Sequence, residues 1–269
     1  MTAVEAVTSG RDIRGREAGF FADLRSIAGR ALRLVPRDKE ALIPALIIPV
    51  FFFAVNIGQL QNVFEKQTGI DYKAFLLPLS IITTVSGVTR ASALVTDIQG
   101  GYFDRLLLTP VRRITLLLGL MVADLLLVAA LCIPVLALGF IVGVRSETGV
   151  PGLLLFIVIA ALWGLACTGF PYALALKTGN PAVVNSSFLL FFPFTFLTTA
   201  LVPEQALTPW FRAIAKVNPV TYILAGLRSL LVVGWAWGEI AKAFLAILVV
   251  AIVSITLAFR ALNGRVKKK

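Results

Sequence analysis

Histidine is absent from the 269-residue chain, and its two cysteines, Cys132 and Cys167, lie far apart inside apolar runs. A His-based general base, a Ser-His-Asp arrangement and most zinc or haem ligation are thereby excluded. The cysteines form no CxxC pair and are poorly placed for an extracellular disulfide, so both read as packing residues. No GxxxxGK[ST] phosphate loop occurs, so the chain cannot itself be an ATP-driven machine. What remains is a pair of charges in apolar surroundings, Arg90 and Asp124. An intramembrane charge is a functional candidate by default, and pairing between helices is the structural alternative. No catalytic or metal site is expected in this chain, and no cofactor is expected to bind to it.

The elements around these charges follow from composition. Apolar residues make up 58% of the chain and charged residues 14%, against about 45–50% and about 25% in an average globular protein. With a mean hydropathy of +0.91, the expected fold is an all-α, polytopic membrane protein. A hydrocarbon core of about 30 Å needs a helix of about 20 apolar residues. Runs of that kind predict six transmembrane helices at about 41–57, 74–95, 114–144, 153–176, 182–202 and 241–262. Residues 1–40 are expected to be a cytoplasmic N-terminus without a cleaved signal peptide, and 263–269 a basic cytoplasmic tail.

Charge placement sets the orientation. The net charge is +11, and most Lys and Arg residues fall before Ala41, around Arg105 to Arg113, and in the tail. Both termini are then cytoplasmic by the positive-inside rule. In a membrane protein this surplus reports topology and contact with anionic lipid rather than nucleic-acid binding. A seventh apolar stretch, Val217 to Trp237, would move the basic tail outside if it crossed. The segment 203–237 therefore reads as an external re-entrant hairpin between spans five and six, broken by Pro203, Pro209 and Pro219 and carrying Arg228.

Two cytoplasmic segments have helical patterns. Between about 18 and 35, Phe20, Phe21, Leu24, Ile27, Ala28, Ala31, Leu32 and Val35 recur at helical spacing with Arg25, Arg30 and Arg33 between them. This predicts an N-terminal interfacial helix whose arginines lie at the headgroups. Between spans two and three, Gly100-Gly101 and Thr109-Pro110 isolate a short helix at about 101–109 that offers Phe103, Leu106 and Leu107 as apolar contacts beside Asp104 and Arg105.

The stretch from Gly101 to Arg113 resembles the cytoplasmic coupling segment of type-2 ABC exporter permeases. A second stretch agrees with it: Phe191-Phe192-Pro193, Phe196-Leu197, Leu201-Val202-Pro203, Pro209-Trp210, Asn218-Pro219-Val220-Thr221-Tyr222 and Ala225-Gly226-Leu227-Arg228. Their order is similar to the fifth span, external hairpin and following elements of the daunorubicin-resistance type of permease, over most of the chain. The resemblance implies a bacterial plasma-membrane permease subunit working as a homodimer or heterodimer with two copies of a separate ATP-binding cassette ATPase, which holds the ATP and magnesium. It further implies that Gly101, Phe103, Asp104, Arg105, Leu106, Thr109 and Pro110 couple to that ATPase, and that the substrate is a hydrophobic or amphiphilic compound, drug-like or lipid-like, moved outward by alternating access. Polysaccharide or teichoic-acid export is the alternative within the same architecture.

Arg90 and Asp124 each lie about ten residues from the coupling segment, on opposite sides of it. At about 1.5 Å per residue they reach similar depths, and a structural pair is the favoured expectation. A secondary transporter would more often show internal repeats and several midplane acids, neither of which is seen. An integral membrane enzyme is disfavoured for want of a convergent cluster of ionisable or nucleophilic side chains.

Overall fold

A computed structural model describes residues 19–34, 39–86, 89–107 and 113–267. Among these, every regular element is helical: α1 (Phe20–Leu34), α2 (Lys39–Thr68), α3 (Tyr72–Ser86), α4 (Ala91–Gln99), α5 (Tyr102–Leu107), α6 (Arg113–Ile141), α7 (Gly149–Thr178), α8 (Pro181–Phe196), α9 (Pro209–Val217), α10 (Pro219–Arg228) and α11 (Trp237–Lys267). Five stretches are long and apolar enough to cross a membrane: Leu42–Thr68, Tyr72–Gln99, Ile114–Ile141, Gly149–Thr178 and Trp237–Arg265. A bent pair, α9 with α10 and its π-helical extension to Val233, turns through 85° and would raise the number to six if taken as one span.

The expected span 74–95 is two helices rather than one. α3 ends at Ser86, α4 begins at Ala91, and Arg90 stands between them as the N-cap of α4. The expected span 182–202 is helical only to Phe196. At 16 residues α8 is about 24 Å long, short of the hydrocarbon core. The first span is longer than expected, because α2 continues through Asn56 and Gln59 to Thr68 despite Pro44 and Pro49 inside it.

The helices α3 and α4 are the most enclosed, with 81% of their apolar window buried, whereas α2 has 11%. Against them pack α2, α6, α7, α8 and α10, with α11 packed on α7 and α10, and Tyr72, Leu77, Ile82, Phe156, Ile159 and Leu224 are fully buried between helices. Close approach is secured by small residues, as expected where lipid gives no hydrophobic drive for helix association. A Cβ on Gly169 of α7 would stand 2.5 Å from the Ser254 carbonyl carbon of α11, and the Ser254 hydroxyl donates to the Ala166 carbonyl. Gly226 of α10 gives the same access to Ala243 of α11.

Hydrogen bonds mark two opposite ends. At one, Gln99 at the end of α4 donates to the Gly179 carbonyl (3.0 Å), and Arg265 near the end of α11 donates to the Leu176 carbonyl (3.3 Å). The α7–α8 turn between them closes with Gly179 at φ 61° and Asn180 capping α8 through the Ala182 N–H. At the other end, Lys73 donates to the Val142 carbonyl, and Ser146 and Thr148 donate to the Leu230 carbonyl. This end also holds the exposed, stacked Trp235 and Trp237.

Candidate functional site: a helix junction, a capped break and an apolar groove

The first cluster lies at the end marked by Gln99. The amphipathic helix α1 packs along α6, with Ala28 and Ala31 against Ala123 and Ile27 over Gly119. Arg30 reaches from α1 to two other elements. Its guanidinium donates to Asp97 of α4 at 3.2 Å and lies 3.9 Å from the centroid of the Tyr102 ring of α5. One side chain thus ties three short helices. Arg25 and Arg33, singled out with Arg30, are exposed on α1.

Residue by residue, the expected coupling set divides. Gly101 adopts φ 71°, a left-handed conformation that suits glycine, and its carbonyl accepts the Arg105 N–H. Phe103, one of the expected coupling residues, points inward: it is 3% exposed and packs in a cluster with Leu94, Ile98, Leu117 and Met121. It anchors α5 because a phenyl ring on a six-residue helix has more to gain from that apolar cluster than from water. Among the described side chains of α5, Arg105 and Tyr102 are exposed and Leu106 is half-buried. The side chain of Asp104, with Thr109 and Pro110, lies outside the described residues.

The second cluster is the break between α3 and α4. Asp124 of α6 is 0% exposed, and its carboxylate accepts two hydrogen bonds, from the Arg90 backbone N–H (3.1 Å) and the Tyr172 hydroxyl (2.8 Å). The structure therefore brings Arg90 and Asp124 together through the Arg90 backbone and not as the expected side-chain pair. Among the described residues no carboxylate lies within 4 Å of the Arg90 guanidinium. The physical reason is the break itself. A helix start leaves N–H groups without intrahelical acceptors, and a carboxylate there is favoured by both the hydrogen bond and the helix dipole.

The third cluster clamps the chain after α8. The Asn218 amide donates to the carbonyls of Phe194 (2.6 Å) and Leu197 (2.9 Å), while its oxygen caps α10 by accepting the Val220 N–H. Pro219 supplies the first residue of α10. Arg228 is buried without a carboxylate, donating to the carbonyls of Phe75 (2.9 Å), Thr199 (2.7 Å) and Ala200 (2.7 Å) and stacking on the Phe75 ring. The carbonyls that α8 leaves unpaired as it unwinds are thereby satisfied. Pro203, in extended conformation, opens the short 3-10 turn Glu204–Ala206. Sequence reasoning missed Asp97, Tyr102, Tyr172 and Thr199, since an ordinary Tyr or Thr in an apolar run carries no signal of its partner.

Between α2, the α3–α4 break and α8 lies a cavity of about 580 Å³, walled by Pro49, Phe52, Leu79, Phe191 and Phe196 and reached by Arg90. A smaller one of about 210 Å³ lies between α1, α4, α5 and α6, and Arg90 borders it too. Among the described residues, no three His, Cys, Asp or Glu side chains are grouped to hold a metal.

Comparison with known proteins finds related permeases. A daunorubicin resistance ABC transporter permease protein, DrrB1 of Streptomyces coeruleorubidus, is 24% identical over 75% of this chain and 72% of its own length. A protein named for doxorubicin resistance, the ABC transporter permease DrrC of Mycobacterium tuberculosis, is 27% identical over 78% of this chain and 77% of its own. The transport permease ycf38 of Pyropia yezoensis is 26% identical over 87% and 85%. The family described as ABC-2 type transporter matches residues 23–232, from within α1 to the π-helical end of the bent pair. Apolar helices of membrane-crossing length and a match over most of the chain together place this protein in the ABC-2 type transporter family, as a membrane permease.

Proposed function

We propose that this chain is the membrane-spanning subunit of an ATP-driven exporter that moves a hydrophobic or amphiphilic compound out of a bacterial cell. Two such permeases, alike or related, work with two copies of a separate ATPase that binds ATP and magnesium. Six crossings are formed by α2, α3 with α4, α6, α7, α8 with its unwound continuation, and α11. Both termini are cytoplasmic, α1 lies along the inner membrane surface, and α9 with α10 is a re-entrant hairpin on the outer side. The hairpin reading is supported by its contacts: α8 ends and α11 begins at the end where Arg228 and Leu230 are held.

The observation that carries the coupling role is the Arg30 junction. A short helix that an ATPase pushes can move the spans only if it is fixed to them. Here α5 is anchored inward by Phe103 and joined sideways to α1 through Arg30 and Tyr102, while Arg105 remains exposed for a partner. ATP-driven closure of the ATPases displaces α5 and α1 together, and α4 and α6 follow.

The test is vanadate-sensitive efflux activity, read as ATP-driven substrate uptake into inside-out vesicles that contain the permease and a co-expressed ATP-binding cassette ATPase. Arg105→Glu reverses the charge offered to the partner and is expected to lower efflux by about tenfold or more, with the permease itself still folded. Efflux unchanged by that substitution, or a permease that captures no ATPase subunit, overturns the reading.

A further inference from the structure

The larger cavity has one charge on its wall. Among the described residues that line it, Arg90 alone is ionic, and the remainder are apolar, hydroxyl or amide side chains. Arg90 is 8% exposed and has no ion-pair partner among the described residues. Its backbone N–H is already committed to Asp124, whose two carboxylate oxygens are in turn occupied and sealed from the cavity. Asp124 lies close enough to interact with this charge, but among the described residues no hydrogen-bonded anion meets the guanidinium where it faces the groove, and a ligand anion there adds a charge-assisted contact.

A second donor stands on the same wall. Asn185 of α8 accepts the Ser92 hydroxyl through its oxygen at 2.7 Å, which leaves its amide N–H groups without a partner. Facing these donors are Pro49 and Phe52 of α2 with Phe191 and Phe196 of α8, a surface suited to a hydrocarbon or ring system. The volume, about 580 Å³, is that of a small-molecule site.

We propose that this cavity binds an amphiphile with an anionic head group, the charge held by Arg90 and the Asn185 amide and the apolar body held between α2 and α8. This deepens the exporter reading by naming the charge class of the substrate, and it rests on that reading only for the ligand being cargo. An anionic membrane lipid has the same chemistry as an anionic cargo molecule, so the test separates the two.

The experiment uses the full-length permease in nanodiscs of phosphatidylcholine, with a dansyl-labelled undecanoate and its methyl ester as probes and energy transfer from tryptophan as readout. The carboxylate is expected to bind about tenfold or more tighter than the uncharged ester, the scale of a charge-assisted contact. Arg90→Gln is expected to reduce that preference to about twofold or less, and Arg90→Lys to keep most of it. Asn185→Ala, at an exposed position that leaves the Arg90 break intact, is expected to reduce it by about threefold. Acid and ester binding alike in the unaltered protein overturns the proposal, as does a preference that survives Arg90→Gln. Replacing part of the lipid by phosphatidylglycerol distinguishes the sources: displacement of the probe assigns the site to a resident lipid, and undisturbed binding assigns it to cargo. Because no ATPase is present, acid-selective binding alongside failed efflux would remove the exporter reading and leave this one standing.

Discussion

Asp124 shows how a buried carboxylate in an apolar helix can be structural. Its position suggests transport chemistry, yet each oxygen already accepts a hydrogen bond. Asp124→Ala leaves the Arg90 N–H and the Tyr172 hydroxyl without an acceptor, and a loss of about 2–4 kcal/mol is expected at about 1–3 kcal/mol per orphaned buried group. Thermal unfolding of the detergent-purified protein measures it, and Tyr172→Phe should lose less because only one bond disappears. If Asp124→Ala unfolds like the unaltered protein but abolishes transport, the acid is functional after all. The proximity of Arg90 and Asp124 was legible, since equal spacing on either side of one turn puts two residues at one depth. Which atom of Arg90 meets the carboxylate was not. That depends on a helix break that apolar run length does not register.

At the scale of elements, hydropathy registers apolar helices of membrane-crossing length but not their continuity. Hydropathy is a sum over side chains, whereas helix integrity depends on where backbone groups find partners. Residues 197–202 are as apolar as the helix before them, yet the chain unwinds because Asn218 and Arg228, about 20 to 30 residues later, take the carbonyls. The amphipathic pattern of α1 was legible for the opposite reason: its buried stripe of Ala28 and Ala31 and its exposed arginines alternate within one local segment. Close helix contacts were invisible, because a glycine in an apolar run does not name the helix it faces. Gly169→Val tests the contact between α7 and α11. Its Cβ would meet the backbone of Ser254 at 2.5 Å, so the helices must part, and a destabilisation of about 1–3 kcal/mol or more is expected by thermal unfolding. Gly179→Ala, in open space but at φ 61°, is a useful contrast that strains only the turn.

For the whole molecule, the proposed sidedness can be tested at two exposed positions. Arg105 belongs to the end shared by α1, α5 and the close of α11, and Glu204 belongs to the end shared by the hairpin. With Cys132 and Cys167 replaced by alanine, Glu204→Cys is expected to react with a membrane-impermeant maleimide on intact cells, and Arg105→Cys only after permeabilisation. Labelling of both from one side would overturn the six-crossing topology. The position of Arg90 adds a thermodynamic constraint. It borders both the large cavity and the smaller space beneath α1 and α5, so anything that shifts its guanidinium is felt in both. Linkage is then reciprocal: whatever factor ATPase docking applies to ligand affinity, a bound ligand applies to the affinity for the ATPase. If the proposed ligand and the proposed ATPase both act on Arg90, a loaded permease and an empty one hold their ATPase with different firmness.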